Sequence, residues 1–195
     1  MRAFLLGCVG LTLAALPAHA ALNVFGSTLA RECYEAAMSG SGTGAALCER
    51  ALSNDQMTDR DRAATLVNRG IIYNASRQLD LAIADFDAAL KINANLGEAY
   101  LNRGNAYFWQ HKYPEAIADY GRAIDLKTGS LDYAHYNKAL AEMNTGKFED
   151  AKADLTAALA ATPGFKAASD RMVEVDKVLA ARSAGAVQPP AAVQQ

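Results

Sequence analysis

A repeat of 34 residues restricts the fold of this chain more than any other feature of its sequence. Stretch 97–130 reproduces key positions of stretch 63–96, so that Gly104 follows Gly70 at an interval of 34 residues. A weaker third copy occupies residues 131–165. Self-similarity at this period predicts a solenoid of stacked helix pairs, because each pair can bury its apolar face only against its neighbours.

The positions that the copies share resemble the tetratricopeptide repeat. That family carries, in order, a large residue, a glycine, a tyrosine, an alanine, an aromatic residue, an alanine and a helix-ending proline. The corresponding positions in the three copies are Leu66, Gly70, Tyr73, Ala82, Phe86, Ala89 and Ala94, then Tyr100, Gly104, Tyr107, Ala116, Tyr120, Ala123 and Thr128, then His135, Ala139, Glu142, Ala151, Leu155, Ala158 and Pro163. The third copy departs most from the family, with Ala139 and Glu142 in the places of glycine and tyrosine. The resemblance implies an all-α fold, a right-handed α-solenoid of antiparallel helix pairs.

Three further segments flank the repeats. Residues 21–58 predict a degenerate N-terminal helix pair joined by a glycine-rich turn. Residues 166–182 predict an amphipathic C-terminal helix that caps the open end of the stack. Residues 183–195, rich in Ala, Gln and Pro, are expected to be disordered.

The first 20 residues have the pattern of a secretory signal peptide. Arg2 precedes an apolar run over residues 3–16, and residues 18–20 read Ala-His-Ala, a small-x-small cleavage signal. We expect cleavage after Ala20 and export, into a bacterial periplasm or out of the cell. No later stretch has the roughly 20 apolar residues that a membrane-spanning helix needs.

The charge balance argues against nucleic acid or anionic lipid as the main partner. The chain has 19 Lys and Arg residues against 21 Asp and Glu residues, and loss of Arg2 with the signal leaves 18 against 21, a net charge of −3. No cluster of basic residues offsets this acidic balance, and such a cluster is what a phosphate-rich partner requires.

Cys33 and Cys48 are the two cysteines that remain after cleavage, one on each helix of the predicted N-terminal pair. Antiparallel helices joined by a short turn can bring such residues within disulfide range, and an exported protein meets oxidising conditions. The sequence therefore predicts a disulfide, whose 15-residue loop would contribute about 3 kcal/mol to stability. Two buried thiols are the alternative, whereas the lack of Cys-x-x-Cys spacing disfavours a catalytic dithiol.

Two packing patterns also recur with the copies. Gly70 and Gly104 lie inside predicted helices, where glycine costs roughly 0.5–1 kcal/mol relative to alanine, so we expect them to allow close approach of the paired helix. Basic residues recur beside the glycine position and acidic residues recur 16 residues later. These are Arg69, Arg103 and Lys138, with Asp85, Asp119 and Asp154. We expect a ladder of ion pairs between the helices; the alternative is that the arginines bind an anion.

The resemblance implies that the first helices of successive pairs line a concave groove. The residues predicted to bind protein there are Val67, Asn68, Ile71, Leu101, Asn102, Asn105, Phe108, Trp109, Tyr133, Tyr136, Asn137 and Leu140. Aromatic residues on a groove are favoured anchors for a partner chain. Asn68, Asn102 and Asn137 form a register of side-chain amides that can bond to an extended peptide backbone, or else to neighbouring backbone.

The groove predicts a non-enzymatic interaction scaffold that binds a peptide or protein segment. The alternative is a self-associating structural module whose groove is filled by a second copy, as in a homodimer, or by the C-terminal helix. One family subtype is disfavoured, because members that clamp a terminal carboxylate place lysines where this chain has Val67, Leu101 and Tyr136.

The sequence carries no pattern of a catalytic, cofactor or metal site. His111 and His135 fall in different copies, with no carboxylate pattern that suggests a metal site or a proton relay. The glycine-rich residues 39–44 lack the lysine and the preceding strand of a phosphate-binding loop. We therefore expect neither catalysis nor a cofactor.

Overall fold

A computed structural model describes residue 22 and residues 28–40, 42–54 and 56–185. These residues form nine helices and no strand: α1 (Thr28–Met38), α2 (Ala45–Leu52), α3 (Asp59–Ala75), α4 (Leu79–Ile92), α5 (Gly97–Trp109), α6 (Tyr113–Asp125), α7 (Leu131–Asn144), α8 (Phe148–Ala161) and α9 (Lys166–Ser183). The predicted signal peptide and residues 186–195 of the predicted tail lie outside the described residues.

The helices stack as successive pairs. Helix α3 packs on α4, α5 on α6 and α7 on α8, and each pair contacts the next through its neighbouring helices. The predicted all-α solenoid of helix pairs is confirmed. Two helices begin at residues that favour a helix start. At the start of α3, Asp61 donates its backbone N–H to Thr58 Oγ1 over 3.1 Å, and Pro114 lies in the first turn of α6.

Glycine permits close approach inside the pairs. A Cβ atom at Gly104 would lie 2.8 Å from the ring of Tyr120 on α6, and one at Gly70 would lie 2.6 Å from the ring of Phe86 on α4. Both distances fall below the roughly 3.5–4.0 Å of carbon–carbon contact. The two rings are buried directly against a bare backbone, as the sequence pattern predicts.

The N-terminal pair is joined by a disulfide. The Sγ atoms of Cys33 on α1 and Cys48 on α2 lie 2.14 Å apart, as the sequence predicts. Both cysteines are buried in a cluster with Ala37 and with Ile72 of α3. The disulfide thus links α1 to α2 at the surface that these helices present to the first repeat.

Helix α9 covers the C-terminal end of the stack. It packs on α8, and its Ala168 and Val175 are buried in the cluster that contains Leu155 and Ala158 of α8. Among the described helices, none combines the length and the apolar character needed to cross a bilayer.

Candidate functional site

The predicted groove residues lie on the first helices α3, α5 and α7, and most of their side chains are covered. Nine of them are buried: Val67, Asn68, Leu101, Asn102, Asn105, Phe108, Tyr136, Asn137 and Leu140. Ile71, Trp109 and Tyr133 are half-buried. These three are the predicted residues that a partner can reach with the least rearrangement.

Side-chain amides connect neighbouring first helices. Asn74 Nδ2 on α3 donates to the carbonyl oxygen of Asn102 on α5 over 2.9 Å. Asn137 Nδ2 on α7 donates to Asn105 Oδ1 on α5 over 3.1 Å, and the same oxygen accepts from the hydroxyl of Tyr120 over 2.9 Å. Because a buried amide is costly unless it is hydrogen-bonded, these bonds fix how the first helices lie side by side.

The three asparagines of the register have different partners. Asn137 bonds to Asn105, and Asn102 Nδ2 donates to the carbonyl oxygen of Glu98 in its own helix over 2.8 Å. Asn68 instead bonds to Leu22, which lies 46 residues earlier in the chain. Asn102 thus bonds to neighbouring backbone, one of the alternatives that the sequence leaves open, whereas Asn68 bonds to the backbone of a residue distant in the chain.

Asn68 holds the backbone of Leu22 by both of its polar groups. The side-chain oxygen accepts from the Leu22 N–H over 2.9 Å, and the side-chain nitrogen donates to the Leu22 carbonyl oxygen over 2.8 Å. Leu22 is not part of a helix, so both of its backbone groups are free to bond outward. An amide that donates and accepts at one residue satisfies a peptide unit much as a neighbouring β-strand would.

The side chain of Leu22 enters an apolar junction. It packs against the cluster of Ala30, Ala51 and Ala64, where the N-terminal pair meets α3. It also packs against the cluster of the first repeat, which contains Leu66 and Val67. The Asn68 amide and these apolar residues together form what we call the Asn68 socket: Asn68, Ala30, Ala51, Ala64, Leu66 and Val67.

The predicted groove residues on α7 are covered by the residues that lead into α9. The ring centroid of Phe165 lies 5.2 Å from that of Tyr133 and 5.0 Å from that of Tyr136. Arg171 of α9 borders a shallow cleft beside Leu140 and is paired with Glu174 over 2.7 Å. The chain itself thus shields part of the third repeat.

Trp109 lies at the end of α5, beside the turn of the preceding repeat. The guanidinium carbon of Arg77 lies 3.3 Å from the centroid of the indole ring, so a cation covers one face of that ring. Arg77 occupies the turn between α3 and α4 with a φ of 61°, and His111 occupies the same place in the next turn with a φ of 59°. The tryptophan therefore contributes to contact between the repeats.

The predicted ladder of ion pairs is present. Arg69 bonds to both carboxylate oxygens of Asp85 over 2.8 and 2.7 Å, and Arg103 bonds to both oxygens of Asp119 over 2.7 Å each. Arg103 also reaches Asp87 of the preceding repeat over 2.5 Å, a partner that the 16-residue pattern does not indicate. Hydrogen bonds to these carboxylates raise the pKa of Arg103 above its usual value.

The third rung of the ladder has a different composition. Lys138 Nζ lies 2.5 Å from Asp154 and 3.1 Å from Glu142, and His135 Nδ1 lies 2.6 Å from the other oxygen of Asp154. Burial, followed by the charge of Asp154, raises the pKa of Glu142 to about 7. The sequence pattern predicts Lys138 with Asp154 but not the added contacts of His135 and Glu142. The departure of positions 135, 139 and 142 from the repeat was a signal for them.

The described residues contain no group of three or more His, Cys, Asp or Glu side chains placed to hold a metal ion. The arginines of the ladder direct their guanidinium groups at carboxylates, and Lys138 occupies the space between Glu142 and Asp154. The predicted groove residues that remain half-buried, Ile71, Trp109 and Tyr133, are apolar or aromatic. Such a surface is suited to contact with another polypeptide.

Comparison with known proteins identifies the repeats. Two family models, both described as the tetratricopeptide repeat, match the chain, one at residues 97–127 and the other at residues 63–96 and 133–165. Together these residues make up half of the chain. A peroxisomal targeting signal receptor of Candida glabrata is 38% identical over 91 residues, and the human DnaJ homolog subfamily C member 7 is 29% identical over 104 residues. These matches cover 46% and 53% of this chain but only 15% and 21% of the relatives.

Solved structures share the fold. The first TPR of Spaghetti (RPAP3) bound to the HSP90 peptide SRMEEVD is 24% identical, with a TM-score of 0.60 over 65% of this chain and 99% of that chain. The second TPR domain of human RPAP3, in complex with the HSP70 peptide SGPTIEEVD, is 26% identical, with a TM-score of 0.58 over 61% of this chain and 98% of that chain.

Proposed function

Because the chain belongs to the tetratricopeptide repeat family, we propose that it is a non-enzymatic interaction scaffold that holds an extended polypeptide segment on its concave face. The observation that carries the proposal is the bond pair between Asn68 and the backbone of Leu22. A non-helical residue of the chain itself is held through both of its backbone polar groups by an asparagine of α3, which is how an extended partner would be held.

The peptides bound by similar domains support this use of the fold but differ in chemistry from the segment proposed here. The second TPR domain of human RPAP3 takes a peptide whose last four residues, EEVD, include three acidic ones. In this chain Val67, Leu101 and Tyr136 fill the places where clamping lysines are expected, and all three are buried. A buried apolar surface disfavours an unpaired carboxylate. The proposed partner segment is therefore apolar and extended.

The proposed setting is the periplasm or the cell exterior, after cleavage following Ala20. The signal pattern of residues 1–20 supports export, and so does the bond between Cys33 and Cys48, since disulfides persist mainly in oxidising compartments. The mass of the protein recovered from the periplasm tests this directly, because it reports both the cleavage position and the state of the two cysteines.

A second candidate function is a structural module whose groove is filled by the protein itself. Contacts within the chain favour this candidate. Leu22 bonds to Asn68 on α3, and Phe165 packs on Tyr133 and Tyr136 on α7. Predicted groove residues at both ends of the series are thus already in contact with the same chain. A homodimer is the form of this candidate in which a second copy supplies the filling segment.

Site-specific photo-crosslinking separates the two functions. A photoreactive phenylalanine derivative replaces Trp109 or Tyr133, the half-buried aromatic residues of the groove, and the variants are irradiated in the periplasm. The control carries the same side chain at Leu81, which is 48% exposed on the second helix α4. We expect a heterologous protein on Trp109 and Tyr133 and none on Leu81.

The other outcomes decide against this function. A crosslink to a second copy of the chain supports the structural module instead. A partner captured at Leu81 alone contradicts binding on the concave face. Far-ultraviolet circular dichroism and thermal melting of each variant exclude misfolding as the cause of a lost crosslink.

A further inference from the structure

We propose that the Asn68 socket is a peptide site whose resident ligand is Leu22, and that a partner occupies it by displacing Leu22. The expected partner is an extended segment with a leucine-like residue at the position of Leu22. The inference rests on the proposed function and adds to it the location of one contact, the chemistry of the segment and the competition with the chain itself.

The backbone contact identifies what the socket recognises. Asn68 is fully buried, and its oxygen and nitrogen are both bonded to a single residue, Leu22. The helix does not require this arrangement, because Asn102, at the same position of the next repeat, bonds within its own helix. The N–H and carbonyl of one non-helical residue are therefore the feature that the Asn68 amide recognises.

The side-chain contact adds a preference for an apolar residue. Leu22 packs between Ala30, Ala51 and Ala64 on one side and the cluster with Leu66 and Val67 on the other. Alanines leave space for a branched side chain that larger residues would fill. None of these six socket residues is ionisable, so a charged side chain in the place of Leu22 would lose its water without gaining a partner.

The contact of Leu22 is small enough to be exchanged. Leu22 is a single half-buried residue, whereas α2 and the helices that follow it are held in the fold by packing along their length. A partner segment that enters the socket can continue past Ile71 toward Trp109, where side chains remain half-exposed. The competition is nevertheless real, because a tethered ligand has an effective concentration on the order of millimolar.

The experiment measures binding of a labelled peptide, ALNVFGS, which repeats residues 21–27. The full chain is purified after export, and fluorescence anisotropy compares the wild type with Leu22→Asp. The substitution keeps the backbone but places a charge in the apolar socket, so residue 22 should leave it. We expect Leu22→Asp to bind ALNVFGS at least about tenfold more tightly than the wild type does, because the tethered competitor is removed.

Two variants in the Leu22→Asp background test the site itself. Asn68→Ala removes the amide and should abolish the gained affinity. Asn144→Ala is the matched control, because Asn144 donates to the carbonyl of Leu140 in its own helix, far along the chain from the socket. It should bind as Leu22→Asp does. The peptide ADNVFGS, with aspartate in the place of leucine, should not bind any variant.

Amide hydrogen exchange gives a readout that needs no added peptide. The Leu22 N–H should exchange slowly in the wild type and rapidly in Asn68→Ala, at equal helicity. Protection that disappears on dilution would mean that a second copy supplies Leu22, and would overturn the assignment to the same chain. Protection that is independent of concentration supports it.

The results distinguish this inference from the proposed function. Equal peptide affinity of wild type and Leu22→Asp, or no binding by either, overturns the socket as a peptide site. A heterologous crosslink at Trp109 and Tyr133 would then still establish a scaffold. Conversely, tight binding by Leu22→Asp with no heterologous crosslink supports the socket and contradicts the proposed function.

Discussion

At the scale of the residue, position 142 shows how a departure from a repeat changes its chemistry. Tyr73 and Tyr107 place their rings beside Arg69 and Arg103, with the guanidinium carbon 5.8 and 5.9 Å from the ring centroid. The third copy has Glu142 at this position, where it pairs with Lys138. A cation–π contact is thus replaced by an ion pair that is sensitive to pH.

Glu142→Gln should remove a pH dependence of stability. Its side chain is only 3% exposed, and burial and Asp154 raise its pKa to about 7 in the folded protein, from about 4.5 in the unfolded chain. A raised folded-state pKa stabilises the protein below the unfolded value, and this stabilisation is lost as the pH rises through the folded value.

The measurement is the free energy of unfolding in urea, from about pH 5 to pH 8. Relative to Glu142→Gln, the wild type should lose on the order of 2 kcal/mol over this range. Glu115→Gln, a change at an exposed position of α6, controls for the loss of one charge. Parallel pH profiles of wild type and Glu142→Gln would contradict the assignment.

At the scale of the element, the distance between paired helices depends on whether a glycine faces a ring. Tyr120 is buried, and its hydroxyl is bonded to Asn105, so its ring cannot move away from Gly104 without breaking that bond. Gly121, the next residue on α6, has nothing within 4 Å of where a Cβ would lie. Gly104 is therefore needed for the close packing of α5 on α6, whereas Gly121 is not.

Gly104→Ala should destabilise the protein and Gly121→Ala should stabilise it. Overpacking against Tyr120 costs about 1–3 kcal/mol, whereas alanine at an open helical position contributes about 0.5–1 kcal/mol. Urea unfolding of both variants checks the sign of each change. A Gly104→Ala variant as stable as Gly121→Ala would show that the α5–α6 pair can widen freely.

The sequence predicted the repeated elements well because each copy confirms the others. The helix pairs α5–α6 and α7–α8 lie within the copies predicted at residues 97–130 and 131–165, since the helix boundaries coincide with turn residues at a constant period. The groove was less predictable. Its residues follow from the family resemblance, but their burial depends on how closely α3, α5 and α7 lie together, which no single copy encodes.

At the scale of the whole molecule, a solenoid leaves two end surfaces that must be covered. The N-terminal pair with its disulfide covers α3, and α9 covers α8. Val175 of α9 is fully buried, whereas Val173, two residues earlier, is 54% exposed. The two valines distinguish the covering face of α9 from its outer face.

Val175→Asp should expose the end of the stack, and Val173→Asp should leave it covered. A buried aspartate without a partner is costly, so α9 is expected to detach and the melting temperature to fall. The same substitution at Val173 controls for charge and helix propensity. Thermal melting together with binding of a hydrophobic dye is the measurement. Equal behaviour of the two variants would mean that α9 does not stabilise the repeats.

The periodic and local features of this protein could be predicted from its residues: the helix pairs, the glycine–ring contacts, the ion-pair ladder and the pairing of Cys33 with Cys48. These features repeat at fixed spacing or depend on residues close in the chain. The three-dimensional packing of the chain selects Asn68, among the three asparagines of the register, to bond both backbone groups of one distant residue. That choice brings Leu22 to Asn68 across 46 residues, and a contact formed once between distant segments leaves no period in the sequence.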